Sequence, residues 1–238
     1  MDGIFIINKP AGISSARVVD HVRRATGIRK SGHAGTLDPA ATGVLLICQG
    51  RATKLVERMM DLEKVYVAAA RLDVTSSSFD SDRPLEPVFC ANIPEAATVR
   101  DALASFVGEI EQTPPAVSAV KVGGIAAYKR ERRGEKLVLA PRKVRIYALA
   151  LRNYAWPDVE FEMRCGRGTY VRSLIRDVGV RLGCGGCLTT LERTSIGPFH
   201  VDNAVTVDDL PNPTLRDKSF IEIELAKTLL DAAKPPAN

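Results

Sequence analysis

No apolar run in this chain approaches the roughly 20 residues needed to span a bilayer. The short "GIFII" near the start is cut off by Lys9 and Pro10 before it reaches the length of a secretion signal. No membrane association is expected, and the cytoplasm is the expected compartment. Cysteine is sparse and odd in number, five in all, which argues against a disulfide framework in a chain without an export signal. Cys184 and Cys187 form one C-x-x-C, with His200 after them and Cys165 before. The second histidine that a zinc finger needs is missing, so a glycine-rich turn with two incidental thiols is the preferred reading. The three histidines, at 21, 33 and 200, are scattered. Neither H-E-x-x-H nor G-x-S-x-G occurs. "GIRKSGHA" mimics the start of a P-loop but has His33 where the lysine belongs, and no G-x-G-x-x-G follows a strand. The chain therefore lacks the signatures of metallohydrolases, serine hydrolases and nucleotide-dependent enzymes, and no metal or cofactor is expected. Repeats and low-complexity tracts are absent as well.

What is present is positive charge in one place. The formal net charge is +5 and the isoelectric point near 9.0. Lys121 to Arg145 holds nine basic and two acidic residues, so the rest of the chain is close to neutral. Charge concentrated in this way suits a polyanion such as nucleic acid, although a solvated basic surface gives the same pattern. At 238 residues the length allows one large domain or two small ones, with ample core.

Hydrophobic periodicity predicts an α+β protein. "GIFIINKP" reads as a buried strand closed by Pro10, and "SSARVVDHVRRATG" as a helix. Ser14 or Ser15 caps that helix, Val18, Val19 and Val22 line it, and Gly27 ends it. "GVLLICQG" is strand-like, "RATKLVERMMD" helical, "KVYVAAARLDV" a strand and "TSSSFDSD" a loop. Thr98, with Asp101 in the capping-box position, is expected to open a helix running through Phe106 and Ile110. "VRIYALAL" and "VEFEMRC" are strands, the second with Val159, Phe161, Met163 and Cys165 on its buried face. "GTYVRSLIRDVGVRLG" is an amphipathic helix with Val171, Leu174, Ile175, Val178 and Leu182 as its stripe and Gly183 as its end. Hairpin-like neighbours rather than regular βαβ units imply a mixed, mainly antiparallel sheet with flanking helices and loops.

The stretch "GHAGTLDPAATG", Gly32 to Gly43, carries a single acid, Asp38. Asp-Pro opens many turns, and Asp38 could also cap a helix beginning at Pro39. The surrounding blocks favour a different account. "GHAGTLDPAATGVL" resembles the signature loop of the TruB-type tRNA pseudouridine synthases. "INKPAGISSARVV", "GRATKL", "KVYVAAARL", "PPAVSAVKVGGIAAYKRERRGE", "CGRGTYVRSLIRD" and "SIGPF" are similar to further segments of that family, in the family's order.

The resemblance implies the pseudouridine synthase fold and isomerisation of one uridine in the tRNA T-loop, conventionally position 55, without cofactor or metal. Asp38 matches the catalytic aspartate, Arg172 the arginine paired with it, and Tyr66 the tyrosine that stacks on the target base and assists proton transfer. Tyr170 matches a second active-site tyrosine. His33 matches a residue placed near the space vacated when the base is extruded. Lys9, Lys121 and Tyr128 match positions near the substrate or supporting the site. The partner implied is the T-stem-loop of tRNA, with the basic stretch on phosphate. One carboxylate is sufficient because the leaving uracil is recaptured and no water is activated, unlike glycoside hydrolysis.

Three features depart from the family. Only a short stretch follows Phe199, so residues 200–238 are expected to be a short extension of a single catalytic domain, 1–238, without the PUA-type RNA-binding domain of many relatives. "TSSSFDSDRP" replaces a threonine-aspartate-glycine run, and Glu192 stands where a basic residue is common. A monomer is the default expectation. The rival reading is a tRNA-binding or tRNA-folding protein without required catalysis. Binding alone does not need Asp38, Tyr66, Tyr170 and Arg172 together.

Overall fold

The computed structural model describes residues 2–118, 120–131, 133–135 and 139–233. In chain order the elements are β1 (Gly3–Lys9), α1 (Ser15–Thr26), β2 (Ser31–His33), β3 (Thr42–Gln49), α2 (Val56–Asp61) and β4 (Lys64–Arg71). Then come β5 (Val74–Thr75), β6 (Glu86–Pro87), α3 (Ala96–Ala104), β7 (Gly108–Gln112), β8 (Lys121–Val122), β9 (Ile125–Ala126) and α4 (Ala127–Glu131). The remainder is β10 (Arg142–Ala155), β11 (Asp158–Cys165), α5 (Val171–Leu182), β12 (Cys187–Ile196), β13 (Phe199–His200), β14 (Val205–Thr206), α6 (Pro213–Arg216), β15 (Phe220–Glu222) and α7 (Ile223–Ala232). Strand pairs are mostly antiparallel, while β1–β14 and β3–β12 run parallel. The architecture is the mixed, mainly antiparallel α+β arrangement read from the sequence.

The chain divides into two compact units, Met1–Tyr66 with Leu191–Asn238, and Val67–Thr190. In the first, β1 and β3 pair over seven residues, Gly3 with Gln49 through Lys9 with Gly43. Both faces of this pair are covered, which is why the two strands read as unbroken apolar runs rather than as an alternation. Phe5, Ile7, Leu45 and Ile47 pack with Val18, Val19 and Val22 of α1. Ile4, Ile6, Val44, Leu46 and Cys48 pack with Met59, Phe199, Ala226 and Leu230. α1 is capped by the Ser14 side chain and ended by Gly27 at φ 74°, as its sequence requires.

In the second unit β10 pairs with β11 and β7. The face carrying Val159, Phe161, Met163 and Cys165 is buried as expected. α5 closes on Gly183 in the left-handed region. Behind it the backbone comes unusually close: a Cβ on Gly179 would run into the Gly185 carbonyl, and one on Gly185 into the Val74 carbonyl. Two expectations are corrected. α3 starts at Ala96, with Glu95 rather than Thr98 at its N-cap, and stops at Ala104. Ile110 belongs to β7, where Gly108 at φ 115° lets the chain turn out of the helix. The second concerns cysteine: Cys90 and Cys184 form a disulfide, while Cys48, Cys165 and Cys187 are free and buried.

Candidate active site

Asp38 sits half-buried in the loop between β2 and β3. No helix begins at Pro39; residues 39–40 form a bend, and the Ala41 N–H donates to the Asp38 carbonyl at 3.1 Å. The backbone on either side of Asp38 is pinned. The Ser15 hydroxyl donates to the Leu37 carbonyl and accepts from the Leu37 N–H, both at 2.9 Å. Gly12 N–H donates to the Pro39 carbonyl at 2.8 Å. Lys9, fully buried, gives its ammonium hydrogens to the carbonyls of Pro10, Ile13 and Pro39 at 2.8, 2.9 and 3.1 Å. Desolvation, and less so the nearby Arg193 charge, bring the Lys9 pKa down to about 8, while the Asp38 carboxylate acts in the opposite direction. With three acceptors around three hydrogens, this ammonium holds the loop.

Arg193, from β12, was not singled out in the sequence. It is 2% exposed. Its Nε donates to the Val44 carbonyl at 2.8 Å, its Nη2 to the Gly35 carbonyl at 3.1 Å, and its Nη1 lies 3.5 Å from the Tyr66 hydroxyl. Tyr66 is itself buried, on the inward face of β4. Gly35 and Gly43 adopt φ of 95° and 96°, on opposite sides of Asp38. His33, at the end of β2, has a buried Nδ1 without a hydrogen-bond partner, and burial followed by the Arg193 charge lowers its pKa, favouring a neutral ring. Thus Lys9, His33, Asp38 and Tyr66 come from one unit; the Arg193 guanidinium lies against Tyr66 and close enough to Lys9 and His33 to lower the pKa of both, and Lys9 also feels the Asp38 carboxylate.

The second unit carries the other matched residues. Arg172 is buried in the first turn of α5, not solvent-facing. It donates to the Ser78 carbonyl at 3.2 Å and the Val117 carbonyl at 2.9 Å. Tyr170 is the N-cap of α5. The buried Gln112 side chain brackets its backbone, accepting from its N–H at 2.8 Å and donating to its carbonyl at 3.1 Å. The Arg142 guanidinium lies 5.0 Å from its ring centroid. Gln112 and Arg193 are not marked out by the sequence, and Ser15 is marked only as a candidate cap of α1, not as the partner of Leu37. Lys121 and Tyr128 have their backbones in β8 and α4, and their side chains lie outside the described residues.

Among the described residues no group of three or more His, Cys, Asp or Glu side chains could hold a metal ion. Cys184 is committed to Cys90, and the Cys187 thiol, raised by burial, faces the Ser76 hydroxyl. No helix of the described residues is long and apolar enough to cross a membrane.

The sequence matches the family model of the TruB family pseudouridylate synthase N-terminal domain over residues 23–171. It also matches that of the tRNA pseudouridylate synthase B C-terminal domain over residues 172–233. The chain belongs to the TruB family of pseudouridylate synthases. It is 39% identical over 229 residues to the tRNA pseudouridine synthase B of Syntrophotalea carbinolica, covering 96% of this chain and 75% of that protein. With the tRNA pseudouridine synthase B of Burkholderia pseudomallei it shares 43% identity over 214 residues, 90% of this chain and 70% of the relative. Among solved structures, a chain of a Cbf5–Nop10–Gar1 complex superposes with a TM-score of 0.73 at 28% identity, covering 94% of this chain and 61% of that one. A chain of an H/ACA ribonucleoprotein bound to a substrate RNA containing 2′-deoxyuridine gives a TM-score of 0.70 at 26% identity, with coverage of 94% and 60%. The TruB-family chain thus spans about three fifths of those structural relatives, and its fold is that of the pseudouridine synthases.

Proposed function

We propose that this pseudouridine synthase acts on tRNA and isomerises the T-loop uridine at position 55, with Asp38 as its catalytic carboxylate. The names of its relatives support tRNA as substrate. The reaction breaks the N1–C1′ bond of the extruded nucleotide, turns the uracil, and forms C5–C1′. The proton on C5 is lost and N1 ends protonated, so no atom is gained. Asp38 supplies negative charge to the electron-poor ring system while the glycosidic bond is open, by bonding or through space. Arg172 is the counter-charge, Tyr66 takes part in the proton transfer at C5, and Tyr170 and His33 bind the RNA. Lys9, Lys121 and Tyr128 support the substrate or the site, and the basic 121–145 stretch meets phosphate.

The observation that carries this reading is the loop around Asp38. It offers one carboxylate between glycines, and its backbone is tied down on both sides by buried donors. A loop serving only to bind an anionic partner gains nothing from a fixed acid. Asp38→Asn is expected to abolish pseudouridine formation while tRNA affinity stays within about tenfold, roughly 1.4 kcal/mol. Product from the mutant at the parent rate would remove the assignment. Pseudouridine mapping in cells with and without the gene tests the target, since loss confined to the T-loop uridine is the expected result.

A further inference from the structure

We propose that Arg193 is a positioning residue for the isomerisation: one guanidinium closes the neck of the Asp38 loop and aims the Tyr66 hydroxyl. The inference rests on the reading of Asp38 and Tyr66 given above.

A guanidinium does not deprotonate in a protein, and taking it out of water carries a large desolvation cost. For stability alone a well-packed apolar side chain at this buried strand position would serve as well or better. Arg193 nevertheless stands there, at 2% exposure, and its hydrogen-bond partners are neutral oxygens: two carbonyls and a phenol. The placement of those oxygens is informative. Gly35 precedes Asp38 and Val44 follows it, so a single planar fork fixes both ends of the loop. The same fork then reaches Tyr66, joining the loop to the neighbouring strand. Donation into the phenol oxygen leaves the Tyr66 hydrogen to point elsewhere, which sets the hydroxyl's direction. The backbone of Arg193 adds to this. It pairs in register with Gly43, and a Cβ at Gly43 would overlap the Arg193 carbonyl. A lysine keeps the charge but presents its hydrogens from one point and cannot span the three acceptors.

The test is single-turnover and steady-state kinetics of Arg193→Met and Arg193→Lys on a tRNA T-stem-loop, with filter-binding affinity and thermal melts of each. Arg193→Met is expected to lower kcat about 100-fold, the scale of losing a preorganised donor. RNA affinity is expected to stay within about threefold, and Arg193→Lys to recover part of the rate. A purely structural role would cut the rate equally in any background. We expect instead that in a Tyr66→Phe background the Arg193→Met penalty shrinks by about tenfold or more. An undiminished kcat in Arg193→Met, or an undiminished penalty in the Tyr66→Phe background, would overturn the proposal. If Arg193→Met does not fold, the cycle of Arg193→Lys with Tyr66→Phe decides by the same criterion. Asp38→Asn is run in parallel. An active Asp38→Asn removes the underlying site reading, whereas an inert Asp38→Asn beside fully active Arg193 variants removes this inference alone.

Discussion

Ser15 and Leu37 exchange two hydrogen bonds through one hydroxyl, which donates to the Leu37 carbonyl and accepts from its N–H, each at 2.9 Å. Both groups lie in the interior, one residue before the catalytic candidate Asp38. Removing the hydroxyl leaves two buried backbone groups without partners. Ser15→Ala is therefore expected to cost about 2–4 kcal/mol of stability and to lower kcat more than it raises KM. Chemical denaturation with steady-state kinetics on tRNA reads both.

Gly43→Ala tests the neck of the same loop. Gly43 has φ 96°, and the added methyl would meet the Arg193 backbone. Strain and overlap together predict a loss of roughly 2–4 kcal/mol. Gly12→Ala is a control, since Gly12 has φ 87° but nothing within 4 Å of its would-be Cβ. A calorimetric melt of the two should place Gly43→Ala well below Gly12→Ala.

Lys9 gives a pH signature. Its pKa falls from 10.5 to about 8 on folding, chiefly through burial. Between those values the unfolded chain holds more protons than the native one, so this group makes unfolding free energy rise as pH rises from about 8 to 10.5. Activity is expected to move the other way. Above about 8 the amine has two hydrogens for three carbonyls, and the loop at Pro39 loosens. Denaturation and kcat followed over this window should show opposite trends, and Lys9→Met should flatten the stability trend.

Gln112→Leu addresses the second unit. The substitution keeps the volume but leaves the Tyr170 N–H at the start of α5 without its partner, while the Tyr170 carbonyl keeps its bond from the Leu174 N–H. About 1–3 kcal/mol of destabilisation is expected. Hydrogen exchange should quicken first at Tyr170 and the following turn.

Much of the fold was legible because periodicity and caps agreed. Ser14 and Gly27 bracket α1, and the alternation of Val159, Phe161, Met163 and Cys165 places β11. α3 was misread because Thr98 and Asp101 imitate a capping box, whereas tertiary packing of Val99, Ala102 and Leu103 sets the helix limits. The Cys90–Cys184 pair was missed because parity and compartment say nothing about which thiols meet in space. Asp38 stands out in the sequence as the one acid in a glycine-rich loop. Arg193 was not, because in "TLERTSIGPF" it looks like any strand arginine. Its one local sign is parity: Cys187, Arg193 and Ser195 share the buried face of β12. A polar residue on such a face needs partners, and those partners lie far away in the chain.

That distance matters for how the protein is made. Arg193 and the Gly35 carbonyl it holds are 158 residues apart in sequence. At about 5–20 residues per second a ribosome needs on the order of 8–30 s to get from one to the other. During that interval Gly35 has been made while the arginine that holds its carbonyl has not. A chain that stops short of residue 193 therefore carries Asp38 without the guanidinium that ties Gly35 to Val44.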